Sequence, residues 1–322
     1  MKAVFSTEAV DLDRQAPNRN KRECKYFWDE LYPLIVAGGF HHIEVPYEPK
    51  WDFGGRSGIP RTMRSIQLKY KTPEGYKAYL ENIGISSVES IHLDSALFCA
   101  GAPEMYLGAL GHFAEEALEF AAGLGCPVLT ITVTPPMFDV EQLFDGREDM
   151  NEDGFLDKFA DLISRLSQKA AEKNVTICIK NTYWGLCRGK KIFDFMKLLP
   201  ESVKLDVDTA HVKIAGIELA EFIKEAGSRI GIVHFTDTAF EDTQEAYSQP
   251  LPEFPAKGAT KVFTDIGQGN IRFDEVLKVL DDVKYTGAVV YNCRNSYDVY
   301  RSILRTHSYI NQVLVPNGFQ ED

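Results

Sequence analysis

The stretch that decides the fold is Lys204-Leu-Asp-Val-Asp-Thr-Ala-His211. Its first part predicts a short buried strand over residues 203–207. Asp208 ends that strand, and His211 follows three residues later. A strand that delivers a carboxylate and then an imidazole into the next loop is a common way to build a polar site at one end of a sheet. The stretch therefore predicts both a sheet strand and a polar site at its end.

Three neighbouring segments repeat this arrangement of an apolar run that ends in polar side chains. Residues 175–179 are followed by Lys180 and Asn181, and residues 287–291 are followed by Asn292. A run over 230–233 is followed by His234 and, three residues later, by Asp237. We expect these polar groups to meet at one point.

The whole chain alternates apolar runs with segments of helical periodicity. The predicted strands are residues 2–5, 42–47, 88–94, 128–133, 175–179, 203–207, 230–233 and 288–291. Runs that are mostly apolar are typical of parallel strands buried on both faces. Eight strand–helix units in a chain of 322 residues predict a closed (β/α)8 TIM barrel. An open doubly wound sheet is the alternative, and the absence of both GxGxxG after the first strand and GxxxxGK[ST] disfavours it.

The predicted helices fill the intervals, and two intervals are long loops. The helices are a segment from Tyr26 to the residue before Gly38, and residues 73–82, 106–124, 155–173, 192–199, 214–226, 273–280 and 300–313. The long loops are residues 48–71 and 239–262, and the pattern predicts one domain over residues 1–322. We expect the second loop to lie over or beside the polar site, because it is longer than ordinary strand–helix connections.

Composition narrows the class of protein. The 35 Lys and Arg against 47 Asp and Glu give a net charge of −12, which disfavours a nucleic-acid or anionic-membrane partner. Six cysteines without a CxxC pair indicate reduced thiols in a cytoplasmic protein. The first residues lack the apolar region of a signal peptide, and no run of about 20 apolar residues predicts a membrane span. We expect a small-molecule substrate and, as a possibility, a homo-oligomer.

In a barrel the carboxyl ends of the strands converge at one mouth, where the chemistry of such proteins lies. The residues predicted at those ends are Ser6, Glu44, His92, Thr134, Lys180, Asp208, His234 and Asn292. His211 and Asp237 lie slightly further along their loops. This set is more polar than strand capping requires, so the mouth is the predicted functional site.

These motifs resemble the sugar phosphate isomerase/epimerase superfamily, the xylose-isomerase-like barrels. The resemblance covers nearly the whole chain. The stretches that carry it are Asp208-Thr-Ala-His211, Val233-His234-Phe-Thr-Asp237, Gly267-Gln-Gly-Asn-Ile271 and Gly287-Ala-Val-Val-Tyr-Asn292. It implies a divalent metal (Mn²⁺, Mg²⁺ or Zn²⁺) held by a Glu, an Asp, a His and a second Glu at the ends of strands five to eight. In the family the two Glu often exchange the substrate proton. Asp208 and His234 match two of these ligands, and His211 matches a residue that usually contacts substrate.

Two positions depart from the family pattern. Lys180-Asn181 stands where the family has Glu-Asn, and Asn292 stands where it has the last Glu. An ammonium beside an open metal position opposes cation binding by like-charge repulsion. We therefore expect no tightly bound metal, and we expect Lys180 to lie where the metal would be, paired with Asp208. Asn292 keeps a carbonyl oxygen that could still ligate weakly.

Three hypotheses for function follow. The first is an enzyme on a carbohydrate or polyol-like substrate, working by proton transfer next to a carbonyl in an isomerisation, epimerisation or elimination. The second is a non-catalytic sugar-binding or partner subunit, and the third is an ordinary metal-dependent isomerase with substitute ligands such as His92 or Glu44. For the first we expect Lys180 as electrophile or general acid, and His234, His211 or Glu44 as base. The expected substrate contacts are His92, Asn181, Tyr183, Trp184, Asp237, Asn292 and Arg294.

Overall fold

Eight parallel strands close into a barrel in a computed structural model, which describes residues 1–10, 21–47, 69–94, 103–145, 151–249, 252–253, 262–294, 296 and 298–320. The strands are β1 (Lys2–Ser6), β2 (His42–Tyr47), β3 (Ser87–Leu93), β4 (Val128–Thr132), β5 (Thr176–Lys180), β6 (Lys204–Asp208), β7 (Ile230–Phe235) and β8 (Ala288–Tyr291). Each strand pairs with the next, and β8 pairs with β1. The predicted (β/α)8 barrel is confirmed, and the open sheet is wrong.

Helices follow the strands along the chain. They are α1 (Lys21–Ala37), α2 (Pro73–Asn82), α3 (Pro103–Leu124), α4 (Met137–Phe144), α5 (Glu152–Glu172), α6 (Lys191–Lys197), α7 (Thr209–Ile214), α8 (Leu219–Ala226), α9 (Phe273–Asp282) and α10 (Val299–Tyr309). Capping side chains fix where several of them begin. Thr72 accepts a hydrogen bond from the Gly75 amide at the start of α2, and Asn151 accepts one from the Gly154 amide at the start of α5.

Some helices differ from the prediction. The helix expected over residues 214–226 begins only at Leu219, as α8, and it is preceded by an unpredicted short helix, α7, which ends before Gly216 with its φ of +73°. Helix α4, after Pro135 and Pro136, was not predicted. The last predicted helix, residues 300–313, begins at Val299 and changes to a π-helical turn at Ile310.

The apolar core lies between the strands and the surrounding helices. On β6, Leu205 and Val207 belong to this core, while Asp206 and Asp208 alternate with them and are also buried. Because alternate side chains of a strand point to opposite faces, the two carboxylates point into the barrel. On the other strands the same alternation places polar groups such as Ser6, Lys180 and His234 inside the barrel, next to a small buried cluster of Val4, Cys178, Ile232 and Val290.

Parts of both predicted loops lie outside the described residues, namely 48–68, 250–251 and 254–261. Among the cysteines that the structure describes, Cys126, Cys178, Cys187 and Cys293 are buried thiols that form no disulfide with one another. None of the described helices combines the length and the low polarity that crossing a bilayer requires.

Candidate active site

His234 connects both sides of the barrel interior. Its Nδ1 atom lies 2.6 Å from Oδ1 of Asp206 on the neighbouring strand, and its Nε2 atom lies 3.0 Å from Oε2 of Glu44, three strands away. A neutral imidazole carries one N–H, so two carboxylate acceptors require the imidazolium form. Burial alone would lower the pKa of His234, but Asp206 and Glu44 raise that pKa to about 10. His234 is therefore a buried cation at neutral pH.

Glu44 is held as a carboxylate in this interior. The Ser6 hydroxyl donates to its Oε1 at 2.8 Å, the Ser90 hydroxyl donates to its Oε2 at 2.6 Å, and His234 donates as well. Burial would raise the pKa of Glu44, but the His234 charge and hydrogen bond lower it. With its oxygens occupied and a low pKa, Glu44 is a poor proton acceptor.

Lys180 lies at the end of β5 between two carboxylates of β6. Its Nζ is 3.0 Å from Oδ2 of Asp208 and 3.6 Å from Oδ2 of Asp206, and its side chain is 5% exposed. The predicted ion pair with Asp208 is therefore present. Burial would lower the pKa of Lys180, but Asp206 and Asp208 hold it above its usual value. The contact with Asp208 is an ion pair whose angles lie outside the usual hydrogen-bond range, and no other described residue hydrogen-bonds this ammonium.

Asp208 is fixed by its surroundings as firmly as Lys180 is. Burial would raise its pKa, but Lys180 lowers it to about 2. The Thr236 hydroxyl donates to Oδ2 at 2.9 Å, and the Ala210 amide donates to Oδ1 at 3.1 Å at the start of α7. The Asn181 side chain bonds the Asp208 backbone on both sides, accepting from its N–H at 2.7 Å and donating to its carbonyl at 3.2 Å. Asn181 therefore positions Asp208. Its side chain is used for these two backbone contacts and not for the expected contact with substrate.

A second pair lies beside the first. His92 Nδ1 is 2.5 Å from Oε1 of Glu8, and His92 Nε2 is 3.0 Å from the Thr132 hydroxyl. Burial would lower the pKa of His92, but Glu8 raises it, so this imidazole also favours the cationic form. Both of its nitrogens are occupied, which removes His92 from the expected substrate contacts.

We call Glu8, Glu44, Asp206, Asp208, Lys180, His92 and His234 the interior charge network. The set contains four carboxylates, the Lys180 ammonium, the His234 imidazolium and His92, whose pKa is raised by Glu8. Because every member is buried, each charge depends on its neighbours for compensation.

Asn292 borders this network and keeps a free oxygen. Its Nδ2 donates to Oε2 of Glu8 at 2.9 Å. Its Oδ1 is buried, and no donor in the described part of the chain reaches it. The amide oxygen is therefore available to a ligand hydroxyl.

His211 is a neutral imidazole with a defined tautomer. Its Nδ1 accepts the Tyr183 backbone N–H at 3.3 Å, which leaves the proton on Nε2. Burial lowers its pKa to about 4. The rings of Tyr183, Trp184 and Phe263 surround it at 5.6, 4.8 and 5.1 Å between centroids. His211 thus offers a donor rather than a base, and Trp184 adds a buried Nε1 that no described acceptor engages.

Asp237, an expected substrate contact, is used by the backbone instead. Its carboxylate accepts the amides of Thr238, Gly267, Gly269 and Ile271 at 2.8 to 3.2 Å. It folds the Gly267-Gln-Gly-Asn-Ile turn against the end of β7. A side chain on Gly269 would meet the Asp237 Oδ1 at 2.2 Å, so the turn needs glycine there. Asp237 is a structural residue.

The described part of the second long loop reaches the mouth. The Tyr183 hydroxyl donates to the Pro252 carbonyl. Arg294 donates to Oε1 of Glu253 at 3.1 Å and to Oδ2 of Asp94 at 2.7 Å. Residues 252–253 thus lie beside the predicted site, as expected. The guanidinium of Arg294 is thus paired with two carboxylates of the protein, although Arg294 was expected to contact substrate.

Sequence reasoning missed Glu8, Asp94, Asp206 and Glu253. The sequence could have identified Asp206, because it precedes Asp208 by two residues on the same strand and must face the same side. Glu8 follows the end of β1 in the same manner. No sequence pattern could have identified Asp94 and Glu253, because only the folded chain brings them to Arg294.

A sequence profile described as the xylose isomerase-like TIM barrel matches residues 34–307. The chain belongs to the xylose isomerase-like TIM barrel family. The resemblance stated from the motifs is thereby confirmed. Inosose dehydratase of Clostridium perfringens is 30% identical over 179 residues, which are 53% of this chain and 59% of that protein. The chain therefore spans about three fifths of the length of the curated relative that it matches.

Solved structures of the family have the same fold. The probable 3-DHS dehydratase AsbF of Bacillus anthracis has a TM-score of 0.68 and 12% identity, with 97% of this chain and 100% of that one covered. The IOLI protein with a binding zinc atom has a TM-score of 0.66 and 14% identity, with 99% and 100% covered. At these identities the likeness shows the fold alone.

The family resemblance implies a divalent metal, and the side chains at the corresponding positions do not fit one. Lys180 presents an ammonium where the family presents a carboxylate. His234, the imidazole ligand of the pattern, has both nitrogens protonated and directed at carboxylates, so it has no lone pair to offer. Among the described residues, no group of three or more His, Cys, Asp or Glu side chains is arranged to hold a metal ion. His92 and Glu44, named as substitute ligands, are committed to Glu8 and to His234.

Three expected bases are corrected by the same contacts. His234 is an imidazolium, and Glu44 is a hydrogen-bonded carboxylate of low pKa. His211 carries its proton on Nε2, where the ring acts as a donor. The physical cause is shared. The barrel interior holds its charges in compensated pairs, and an imidazole between two carboxylates cannot accept a further proton.

Proposed function

We propose that this chain is an enzyme that removes the proton next to the carbonyl of a polyhydroxylated ketone and expels a neighbouring hydroxyl as water. The observation that carries the proposal is the Lys180 ammonium. It is buried at the barrel mouth, is kept charged by its ion pairs with Asp206 and Asp208, and forms no hydrogen bond of ordinary geometry with any other described residue. This is a fixed positive charge with donors available to a substrate oxygen.

Such a group supplies what removal of a proton next to a carbonyl requires. When the proton leaves, negative charge develops on the carbonyl oxygen, and a preorganised donor in a water-poor site stabilises that charge. Because its pKa is raised, Lys180 donates hydrogen bonds and charge without giving up its proton. It therefore acts as an electrophile, and the general-acid role also considered for it is disfavoured.

The polar groups around Lys180 suit a substrate rich in hydroxyls. The Asn292 Oδ1 can accept from a substrate hydroxyl, and the Trp184 Nε1–H and the His211 Nε2–H can donate to one. Two of these atoms, the Asn292 Oδ1 and the Trp184 Nε1, are buried without a hydrogen-bond partner among the described residues. Uncharged donors and acceptors of this kind favour a neutral polyol or sugar ketone. A phosphorylated substrate is disfavoured, because the guanidinium of Arg294 is already paired with Asp94 and Glu253.

Loss of water is preferred to isomerisation or epimerisation because of what the relatives do. A matched relative and a structural neighbour are named as dehydratases, acting on inosose and on 3-DHS. Both names describe loss of water. We propose an inosose-like ketone as the substrate class on this basis, and a reaction that does not require a divalent metal on the basis of Lys180 and His234.

The test follows exchange of the proton next to the carbonyl of an inosose in D₂O by NMR, together with the ultraviolet absorbance of the unsaturated ketone product. We expect the wild-type protein, stripped with a chelator, to catalyse both, and Lys180→Met to lose at least about 100-fold. The pair Lys180→Met with Asp208→Asn removes both charges of the ion pair. It serves as the folded comparison if the single variant is unstable, and it is expected to be equally inactive.

Three outcomes would overturn the proposal. One is full exchange by a folded Lys180→Met variant. Another is wild-type activity that disappears with the chelator and returns with Mn²⁺ or Zn²⁺. The third is the absence of exchange by the wild-type protein on inososes and other polyhydroxylated ketones.

A further inference from the structure

Glu253 lies apart from the interior charge network and differs from the carboxylates in it. It belongs to the described part of the loop after β7, and its side chain is only 9% exposed. One oxygen, Oε1, accepts from Arg294 at 3.1 Å. Among the described residues, nothing forms a hydrogen bond with the other oxygen. A buried carboxyl with one anchored oxygen and one free oxygen can exchange a proton.

The backbone next to Glu253 is fixed to the barrel. The Tyr183 hydroxyl, which lies just beyond the end of β5, donates to the carbonyl of Pro252. Arg294, after β8, holds the side chain itself and is braced by Asp94 from the end of β3. Contacts from three different strand ends therefore hold Glu253 at the mouth, beside the site that contains Lys180.

The charges that face Glu253 come from several elements. Arg294 after β8 is the cation, whereas Asp94 after β3, Glu8 after β1 and Asp208 at the end of β6 are carboxylates, and the Tyr183 hydroxyl after β5 also lies nearby. Burial raises the pKa of Glu253 to about 7. Arg294 by itself would lower this pKa, but the three carboxylates offset much of that lowering. The group can therefore take and return a proton near neutral pH.

We propose that Glu253 is the acid–base residue of the dehydration. This inference rests on the proposed function. The Glu253 carboxylate takes the proton from the carbon next to the carbonyl, and the electron pair of that C–H bond moves to the carbonyl oxygen held by Lys180. As the enolate collapses, the neighbouring C–O bond breaks, and Glu253 returns its proton to the departing hydroxyl. The products are water and an unsaturated ketone, and Glu253 is a carboxylate again.

A single group that performs both transfers needs no second base, and this agrees with the state of the other residues. His234 is a cation, both nitrogens of His92 are occupied, Glu44 and Asp208 are hydrogen-bonded carboxylates of lowered pKa, and His211 is a donor. Collection and return of the proton by the same carboxyl also implies that both groups leave from the same face of the substrate.

The experiment measures kcat/KM against pH for an inosose with the full-length protein. In the wild type, kcat/KM should rise with pH through a midpoint near pH 7 and level off above it, because the reaction starts from the carboxylate. Glu253→Gln should lose about 100-fold to 10,000-fold in kcat with a small change in KM. Glu253→Ala should regain activity in added formate, a small carboxylate that a purely structural role would not respond to. Glu245→Gln, an exposed residue of the same loop, is the matched control and should behave as wild type.

The outcomes separate this inference from the function on which it rests. If the wild type is active, Lys180→Met is inactive and Glu253→Gln keeps wild-type kcat and pH profile, the role of Glu253 is wrong and the proposed function stands. If Glu253→Gln is inactive but formate does not rescue Glu253→Ala and the residual pH profile is unchanged, Glu253 is a positioning residue and the inference also fails. A wild type without activity on polyhydroxylated ketones overturns the function itself.

Discussion

The Nδ1 atom of His234 lies 2.6 Å from the Oδ1 atom of Asp206, and both side chains are fully buried inside the barrel. Glu44 takes the other nitrogen of the ring. The arrangement favours the imidazolium, because loss of the Nδ1 proton would remove the donor to Asp206 and loss of the Nε2 proton would remove one of the three donors to Glu44. A residue that matches a metal ligand of the family is thus a structural cation in this chain.

The first prediction concerns stability at alkaline pH. The folded pKa of His234 is raised to about 10, above an ordinary value of 6.5, so its contribution is fully present below pH 6.5. It is lost as the pH rises from there towards 10. We expect the free energy of unfolding to fall by up to about 1.4 kcal/mol per pH unit over this interval. Urea denaturation at a series of pH values measures the slope.

A variant without the ring supplies the comparison. His234→Gln should be less stable at pH 7 and should lack most of the alkaline slope. His112→Gln removes a histidine whose side chain is 68% exposed on α3, and it should follow the wild-type curve. An unchanged slope in folded His234→Gln would show that His234 is not the titrating group.

The second prediction is that Lys180→Glu together with Asn292→Glu creates a metal site. The double change removes the opposing ammonium and adds two carboxylates near Asp208, which gives a strongly negative pocket that a divalent cation offsets. We expect about one Mn²⁺ per chain by isothermal titration calorimetry and by elemental analysis after dialysis. The wild type should bind at least about a thousandfold more weakly, since deprotonating a lysine of ordinary pKa at pH 7 costs about 4–5 kcal/mol.

Lys204→Glu is the control for charge alone. It makes the same change of charge as Lys180→Glu at the opposite end of the barrel, where Lys204 begins β6 and its Nζ contacts the Ser228 carbonyl. It should not bind Mn²⁺ tightly. Stoichiometric metal in the purified wild-type protein, lost on Asp208→Asn, would contradict the charge argument.

The third prediction concerns Asn181, which braces the Asp208 backbone. Asn181→Leu removes the acceptor of the Asp208 N–H and the donor to its carbonyl and leaves both groups buried. We expect a loss of about 2–4 kcal/mol in the free energy of unfolding, by chemical denaturation. Asn311→Leu also removes a side-chain bond to a backbone carbonyl, but on the exposed surface, and should cost under about 1 kcal/mol. Equal losses in the two variants would refute the bracing role.

The fourth prediction concerns the turn that Asp237 organises. Asp237→Asn replaces one accepting oxygen with an N–H₂ group that faces backbone donors, so the turn over residues 267–271 should loosen. Hydrogen exchange at the Gly267, Gly269 and Ile271 amides should accelerate by at least about tenfold. Asp282→Asn, at the end of α9, should leave those rates unchanged. Protection equal to wild type in Asp237→Asn would mean that the carboxylate does not hold the turn.

The barrel could be predicted from the sequence because its strands are apolar runs at regular intervals. The His42–Tyr47 and Ala288–Tyr291 strands and the Pro73–Asn82 helix have the predicted bounds. The helix expected over 214–226 begins later, at Leu219, because Gly216 takes a φ of +73°, which a helix does not contain. Helix α4 was missed because a pair of prolines conceals its start, although proline at a helix start is compatible with the fold.

The ion pair of Lys180 and Asp208 could also be predicted, since consecutive strands of a parallel barrel are neighbours and both residues end their strands. The protonation states could not. They depend on contacts such as His234 with Glu44, 190 residues apart, which no local pattern encodes. Glu253 depends in addition on the path of a long loop. Residue types were thus predictable at this site, whereas the direction of proton transfer was not.

The interior charge network has an evolutionary consequence. Because each buried charge is balanced by neighbours, a single substitution at position 180 leaves Asp208 without its cation and Asp206 with His234 alone, and a single acidic substitution at position 292 adds another anion beside Glu8. Fitness effects at these positions are therefore epistatic. A lineage that exchanges a lysine-centred barrel for one that binds a metal must change positions 180 and 292 in close succession, or must gain the cation in the same step. Directed evolution from this chain should recover the two changes jointly, and more often in a medium rich in Mn²⁺.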